Sequence, residues 1–427
     1  MNTHSWQHAL QALHGTREAG SAPLEFLPAA PGGAPQWVER EDASGTGAAA
    51  IVRTSGSTGT PKQTLLSWEA LHASAEMTAQ ALGGHGQWLL TLQPSYVAGL
   101  AVLTRSLIAQ TEPVTLLENT TDPDCFSQAA EQLNAQRRFV SLVPTQLQQL
   151  LSDPGPRLLD ALASFDAILL GGAPTPAELF DRARGAGLNV IRTYGMAETC
   201  GGCVYDGYPL PGVTVEIGTR GRVLLSGPMV ALGYYGDPEL TARKFEWVPD
   251  ADSPQGIPVR LDQSAPHEGR YRRFRTDDLG QLSTQRATEV ETIAEVSGGG
   301  HSAQILPRLT VTGRADSVLI TGGVKVSAEE VRRALESHSG VREAFVAGID
   351  DAHWGQKVVA AVVLATASRG SNLLEELNEL VRERLGPAAV PKHYELLGSM
   401  PLLPSGKPDR QALVETLKEG DARGHHP

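Results

Sequence analysis

The chain has 427 residues, 41% of them hydrophobic, and its 36 Lys and Arg against 48 Asp and Glu leave a formal charge of −12. That length suits two domains or one large domain plus a small one, and the acidic balance removes the electrostatic basis for wrapping nucleic acid or coating an anionic membrane. No apolar run approaches the roughly 20 residues that span a bilayer, and the opening MNTHSWQHAL has no basic stretch followed by an apolar core, so a cytoplasmic protein is expected.

In chain order, a helix is expected over residues 5–14, then an extended lead-in rich in Ala, Pro and Gly, with regular α/β patterning from about Ala48. Residues 54–62 read TSGSTGTPK. Glycines let backbone N–H groups converge on phosphoryl oxygens, hydroxyls add donors, and Lys62 adds charge, which is the composition of a phosphate cradle. It is not the P-loop pattern G-x-x-x-x-G-K-[ST], because Pro61 precedes Lys62 and Gln63 replaces the hydroxyl. Further on, residues 165–170 form a short apolar strand, Gly171-Gly172-Ala173-Pro174 a turn, and Thr175 with Pro176 an N-cap and first-turn pair. A helix over 177–184 and a strand over 189–193 complete a crossover, which makes the two strands parallel neighbours. The loops GGAP and YGMAET then lie side by side at the carboxyl ends of those strands, where open α/β sheets bind ligands.

Residues 209–236 read as short β segments, and 247–304 as a polar loop region around one ordered element at 271–279. The pattern resets near Gly313: strand 318–321, helix 328–336, strands 344–349 and 357–364, helix 373–384, with Ser327 and Glu330 as a capping box. We therefore expect an α/β protein with a large N-terminal domain, residues 1–315, and a small α+β domain, residues 316–427.

The three cysteines, Cys125, Cys200 and Cys203, are too few and odd in number for a disulfide framework. Cys200-Gly201-Gly202-Cys203 has C-x-x-C spacing, but no second pair or paired His stands near to complete a zinc site. Nor does it open a helix after a strand, as a redox pair would.

Five ordered motifs set the wider context. TSGSTGTPK, Thr193–Thr199 (TYGMAET), Arg275–Leu279 (RTDDL), Gly313–Lys325 (GRADSVLITGGVK) and Pro404–Arg410 (PSGKPDR) together resemble the signature series of the adenylate-forming superfamily, which includes acyl-CoA synthetases, luciferases and peptide-synthetase adenylation domains. The resemblance spans residues 54–410. It implies ATP, Mg²⁺ and CoA as reactants or cofactors. It also implies that Thr54, Ser55, Gly56, Ser57, Thr58, Gly59 and Lys62 hold the phosphates. The adenine is implied to lie between Tyr194 and the backbone of Gly171, Gly172 and Ala173, within a pocket that also takes Thr193 and Gly195. Glu198 would ligate Mg²⁺ and Thr199 would bond the α-phosphate. Asp278 would take the ribose hydroxyls, with Arg314 assisting. Lys407 would bridge carboxylate and phosphate during adenylation. Asp316 would be the hinge about which the small domain turns to present Gly322 and Gly323 to the pantetheine of CoA.

The stretches RTYGMAETCGGCVYDGYPLPGV and LLTLQPSYVAGLAVLTRSL, with only 53 residues before the phosphate loop, resemble the short o-succinylbenzoate–CoA ligase branch of that family. This implies a trimmed first subdomain and an aromatic dicarboxylic acid as substrate, activated at its aliphatic carboxylate. Tyr96, Gly99, Arg105, Cys200 and Gly201 are the candidate acid-binding residues, with Arg105 and Arg192 as candidates for the unactivated carboxylate. The chain departs from the family at Tyr96, where many relatives carry His, at Asp277 in place of Gly, and at Gln63. Another acyl-CoA ligase, and an adenylation domain that loads a carrier protein, are the alternatives. Oligomeric state is left open, a homo-oligomer included.

Overall fold

The structure is a computed structural model that describes residues 5–18, 20–30, 32–54, 62–249, 270–283, 307–315, 318–351, 353–365, 372–403 and 408–423. By packing, the chain divides into a first unit of residues 1–216, 224–276 and 282–309 and a second of residues 217–223, 277–281 and 310–427.

The first unit is built on a seven-stranded sheet in the order Tyr208–Pro209, Gly201–Tyr205, Val190–Met196, Ala167–Leu170, Arg138–Leu142, Gln87–Leu90, Val114–Thr115. The last five are mutually parallel; the first two run antiparallel to their neighbours. Strands covered on both faces read as unbroken apolar runs, and Ala167–Leu170 (AILL) is buried at every position. Leu89, Val140, Ile168 and Val190 pack into one core with Phe126, Leu147, Leu158 and Leu162 from helices. Helices Trp68–Ala81 and Val97–Ile108 pack on each other and on Gly201–Tyr205.

The expected crossover is present: Ala167–Leu170, helix Ala177–Gly185, Val190–Met196, with Leu170 beside Arg192 in parallel register. The cap differs from expectation. Pro176, not Thr175, is the N-cap, and no side chain bonds the helix start. Proline fills that place because its backbone, at φ −57°, ψ 140°, is already extended there.

Residues 24–39 are a second departure. They are a hairpin, Leu24–Ala30 against Ala34–Glu39, rather than a loose lead-in. It extends the strand pair Ala50–Thr54 and Lys62–Leu66, which carries Gly233–Tyr234 on its other edge. The hairpin is hard to read because its buried positions include a carboxylate, Glu25. The expected loop at 247–304 also contains more order than anticipated. Phe245–Pro249 pairs with Arg270–Ser283, a strand longer than the expected 271–279, and Arg308–Arg314 pairs with the latter.

The second unit carries a sheet in the order Val324–Ser327, Val318–Thr321, Gly355–Leu364, Val341–Asp351, with His393–Leu397 parallel to Gly355–Leu364. Val358, Ala360 and Val362 face one core with helices Ala328–Glu336 and Leu373–Leu385; Val359, Ala361 and Val363 face another with Leu413 and Leu417 of helix Arg410–Arg423. This two-sided burial is why KVVAAVVL shows no alternation. The Ser327 hydroxyl accepts the Glu330 N–H at 3.3 Å, the first of the two bonds of the expected capping box. Asp316 and Lys407 lie outside the described residues.

Candidate active site

The two loops meet at the carboxyl edge of the large sheet. A Cβ placed on Gly171 would stand 2.4 Å from Thr193 Oγ1, so only glycine allows this approach of one loop to the other. Gly172, at φ 84°, turns the chain out of its strand. Between Val190–Met196 and Gly201–Tyr205 runs a single turn of 3₁₀-helix, Ala197–Thr199. The two strands pair so closely that a Cβ on Gly195 would meet the Gly201 carbonyl oxygen at 2.0 Å.

That turn holds Glu198 and Thr199. The Thr199 hydroxyl is fully buried, accepts the Met196 N–H at 2.9 Å and donates to the Gly201 carbonyl at 2.8 Å. Its expected bond to an α-phosphate is therefore not open as the side chain stands, and the hydroxyl instead ties the two ends of the turn together. Glu198 is also buried, and its Oε1 accepts from the Tyr234 hydroxyl at 2.7 Å. Among the described residues no cluster of three His, Cys, Asp or Glu could hold a metal on its own. A cation at Glu198 would take its other oxygens from phosphate and water, which fits Mg²⁺.

Ser55, Gly56, Ser57, Thr58 and Gly59 lie outside the described residues, and of Thr54 only the backbone is described. The stems of that segment are described: Ala50–Thr54 and Lys62–Leu66 pair antiparallel, with Arg53 opposite Gln63 and Thr54 opposite Lys62. The departure at Gln63 has a local partner. Its side-chain amide oxygen Oε1 accepts from Arg40 Nη1 at 2.9 Å, and Arg40 also bonds Glu25, which in turn holds Arg53. Glu25 on the hairpin thus clamps both stems. Burial alone would raise the Glu25 carboxyl, but the bonds and charges of Arg53 and Arg40 outweigh it and hold its pKa below the ordinary 4.5. A carboxyl depressed in the folded state adds stability above its unfolded pKa, and loses it as pH falls through the folded value. Urea unfolding between pH 6 and 3 is expected to show stability falling below about pH 4.5, and Glu25→Gln to flatten that slope and cost about 2 kcal/mol at pH 7, the scale of lost hydrogen bonds to a charged group. An unchanged slope in the variant would place the acid sensitivity elsewhere.

In the second unit, Asp278 is buried and its Oδ1 lies 3.7 Å from Arg314 Nη1, so the residues expected at the ribose are neighbours. Asp277 pairs with Arg222 at 3.0 Å. Gly322 and Gly323, at φ 55° and 80°, form the two-residue turn of the hairpin Val318–Thr321 and Val324–Ser327. A Cβ on Gly322 would strike the Trp354 ring at 2.9 Å.

The acid-side expectations divide. Tyr96 caps the N-terminus of helix Val97–Ile108 at the sheet's carboxyl edge, half-buried, and burial pushes its phenol up. Gly99 has a structural cause, since a Cβ there would stand 2.4 Å from the Leu92 carbonyl oxygen. Gly201, at φ 106°, faces Ala101 of the same helix. Arg105 lies near that helix's far end, buried with its guanidinium 4.8 Å over the Trp88 ring. Its Nη2 donates to Thr78 at 3.2 Å, and its Nε has no partner among the described residues. Burial lowers its pKa. Arg192 pairs with Asp206 at 2.9 Å and stacks 4.2 Å over Phe180. Each arginine expected at the second carboxylate thus already has contacts within the protein.

The C-x-x-C pair is explained by the backbone. Cys200 takes the left-handed conformation (φ 51°) that ends the 3₁₀ turn, and Cys203 sits at the bulge where the register of the two strands shifts. Both are free and fully buried. Burial pushes the Cys200 thiol up and the Cys203 thiol up to about 12, so neither presents the thiolate that redox chemistry requires.

Two residues at this site lay outside the sequence expectations, Tyr234 and Glu25. Each sits on a short or irregular strand and reaches its partners only through sheet pairing.

Residues 9–235 match the AMP-binding enzyme family, and residues 330–407 match the AMP-binding enzyme C-terminal domain. The chain belongs to the AMP-binding enzyme family. A probable 2-succinylbenzoate–CoA ligase of Mycobacterium tuberculosis (strain CDC 1551 / Oshkosh) is 39% identical over 86% of this chain and 84% of its own. The o-succinylbenzoate CoA synthetase of Bacillus subtilis, solved in complex with the acyl-adenylate intermediate, superposes with a TM-score of 0.62 at 25% identity, covering 86% of this chain and 68% of that one. The same Bacillus enzyme has been solved with ATP and magnesium ion. The amide bond synthetase McbA of Marinactinospora thermotolerans superposes with a TM-score of 0.65 at 27% identity, over 89% and 71% of the two chains.

Proposed function

We propose that the chain is a 2-succinylbenzoate–CoA ligase of menaquinone biosynthesis, an AMP-forming acid–thiol ligase. The observation that carries this reading is the 39% identity to a relative of that name across 84% of the relative's length. The buried Glu198 turn beside the GGAP loop, at the carboxyl edge of a parallel sheet, supports the adenylating half of it.

In the first step an aliphatic carboxylate oxygen of the acid attacks the α-phosphorus of ATP. The bond from that phosphorus to the bridging oxygen breaks, and pyrophosphate leaves. In the second, the thiol of CoA loses its proton and attacks the acyl carbonyl, and AMP leaves. Residues 54–62 and Lys62 hold the phosphates, Tyr194 with Gly171, Gly172 and Ala173 the adenine, and Asp278 with Arg314 the ribose. Glu198 would hold Mg²⁺, which would supply charge neutralisation at the phosphates. We assign Thr199 to holding the Glu198 turn. Lys407 of residues 316–427 stabilises the charge developing between carboxylate and phosphate, and rotation about Asp316 exchanges it for Gly322 and Gly323 before thioester formation. A cytoplasmic location suits these soluble reactants, and no described helix is long and apolar enough to cross a membrane.

CoA-thioester formation with o-succinylbenzoate, benzoate and a fatty acid tests the reading. A clear preference for o-succinylbenzoate is expected. Preference for either other acid would retain the ligase class and remove the substrate.

A further inference from the structure

Tyr234 links two groups that the sequence motifs treat separately. It lies on Gly233–Tyr234, an edge strand that pairs with Lys62–Leu66, Tyr234 opposite Thr64. Its hydroxyl donates to Glu198 Oε1 at 2.7 Å, and its ring carries the Lys62 ammonium 5.4 Å from the centroid. The ring is 5% exposed and stands edge-on to Phe245 at 5.4 Å. Its N–H donates to Thr241 Oγ1 at 2.9 Å. The side chain is therefore fixed by its backbone and a neighbouring ring before any ligand arrives.

We propose that Tyr234 is a positioning residue for adenylation, setting the metal-binding carboxylate through its hydroxyl and the phosphate-loop lysine through its ring. The inference rests on the reading of Glu198 and Lys62 given above. A buried carboxylate left to itself is costly and swings to find donors. A charge-assisted bond to one oxygen fixes the group and leaves the remaining lone pairs to a divalent ion. An ammonium over an aromatic face is attracted by the ring quadrupole, so Lys62 is held over the same ring without a second carboxylate. That arrangement matters because a glutamate paired directly to Lys62 would have part of its charge neutralised before the metal arrived.

Tyr234→Phe removes the hydroxyl and keeps the ring; Tyr234→Leu removes both. In Tyr234→Phe the Mg²⁺ concentration for half-maximal acid-dependent pyrophosphate exchange is expected to rise about tenfold, the scale of a lost bond to a charged group. Mn²⁺ bound with ATP, followed by electron paramagnetic resonance, is expected to weaken by the same factor, and the melting temperature to move little. ATP binding without divalent metal is expected to be unchanged in Tyr234→Phe and weaker in Tyr234→Leu, where Lys62 loses its platform. In a Glu198→Gln background Tyr234→Phe should add nothing further to the metal dependence. Wild-type Mn²⁺ affinity in a folded Tyr234→Phe protein would overturn the inference. Failure to activate o-succinylbenzoate would instead overturn the substrate assignment, and the metal and nucleotide binding measurements read out Tyr234 without any acid.

Discussion

Replacing Lys407 by alanine is expected to lower acid-dependent pyrophosphate exchange by about 10²–10³-fold, the cost of removing one preorganised charge-stabilising donor. Conversion of supplied acyl-adenylate and CoA to thioester is expected to stay within about twofold of wild type, since the proposed second step does not use this ammonium. The reason is the difference between the two transition states. Attack on phosphorus brings two anions together, and a cation between them acts on charge that exists only then. Attack of thiol on a carbonyl has no such pair. The described residues that flank it in the chain are tied down. Leu402 and Pro408 form a bridge on either side of the segment, and the Asp409 carboxylate accepts the N–H groups of Gln411 and Ala412 at 3.1 Å, at the start of helix Arg410–Arg423. Equal loss of both half-reactions in a folded protein would contradict the proposed exchange of Lys407 for Gly322 and Gly323.

Gly195→Ala is expected to cost about 3 kcal/mol or more of stability, or to prevent folding. The added methyl would lie 2.0 Å from the Gly201 carbonyl oxygen and 2.7 Å from both the Gly201 carbonyl carbon and the Gly202 Cα. All three are backbone atoms and have no rotamer to yield. Relief requires separating Val190–Met196 from Gly201–Tyr205, and that would pull apart the turn that Thr199 closes. Gly202→Ala is the control: its methyl would meet the side chains of Thr193 and Tyr205 at 3.1 Å. A cost of about 1 kcal/mol is expected there, because side chains can shift. Urea unfolding of the two variants separates the cases, and equal costs would refute the backbone explanation.

The adjacency of two of the expected loops was legible beforehand because their motifs are local. Gly171-Gly172-Ala173 and the TYGMAET turn lie next to each other because strands joined by a short helical crossover pair in parallel, as Leu170 does with Arg192. Ser327 marked the start of helix Ala328–Glu336 for the same reason, its oxygen and the N–H it caps being three residues apart. The hairpin of residues 24–39 was not legible. Its pattern is broken by Pro28 and by Glu25, a buried charge that makes sense only with Arg40 and Arg53 in place.

Local motifs carry the chemistry on offer: a phosphate-cradle composition at 54–62, a carboxylate among the TYGMAET residues, and a lysine between glycine and proline near the end. Which partners those groups meet is set by packing across distant segments. Glu198 is held by a tyrosine 36 residues away, Thr199 turns its hydroxyl inward, Arg105 lies in the core over Trp88, and Arg192 is engaged by Asp206. The physical reason is range. Turns, caps and crossovers are settled by a few consecutive residues, whereas the partner of a buried polar group is whatever the packed sheet and helices bring within 3 Å.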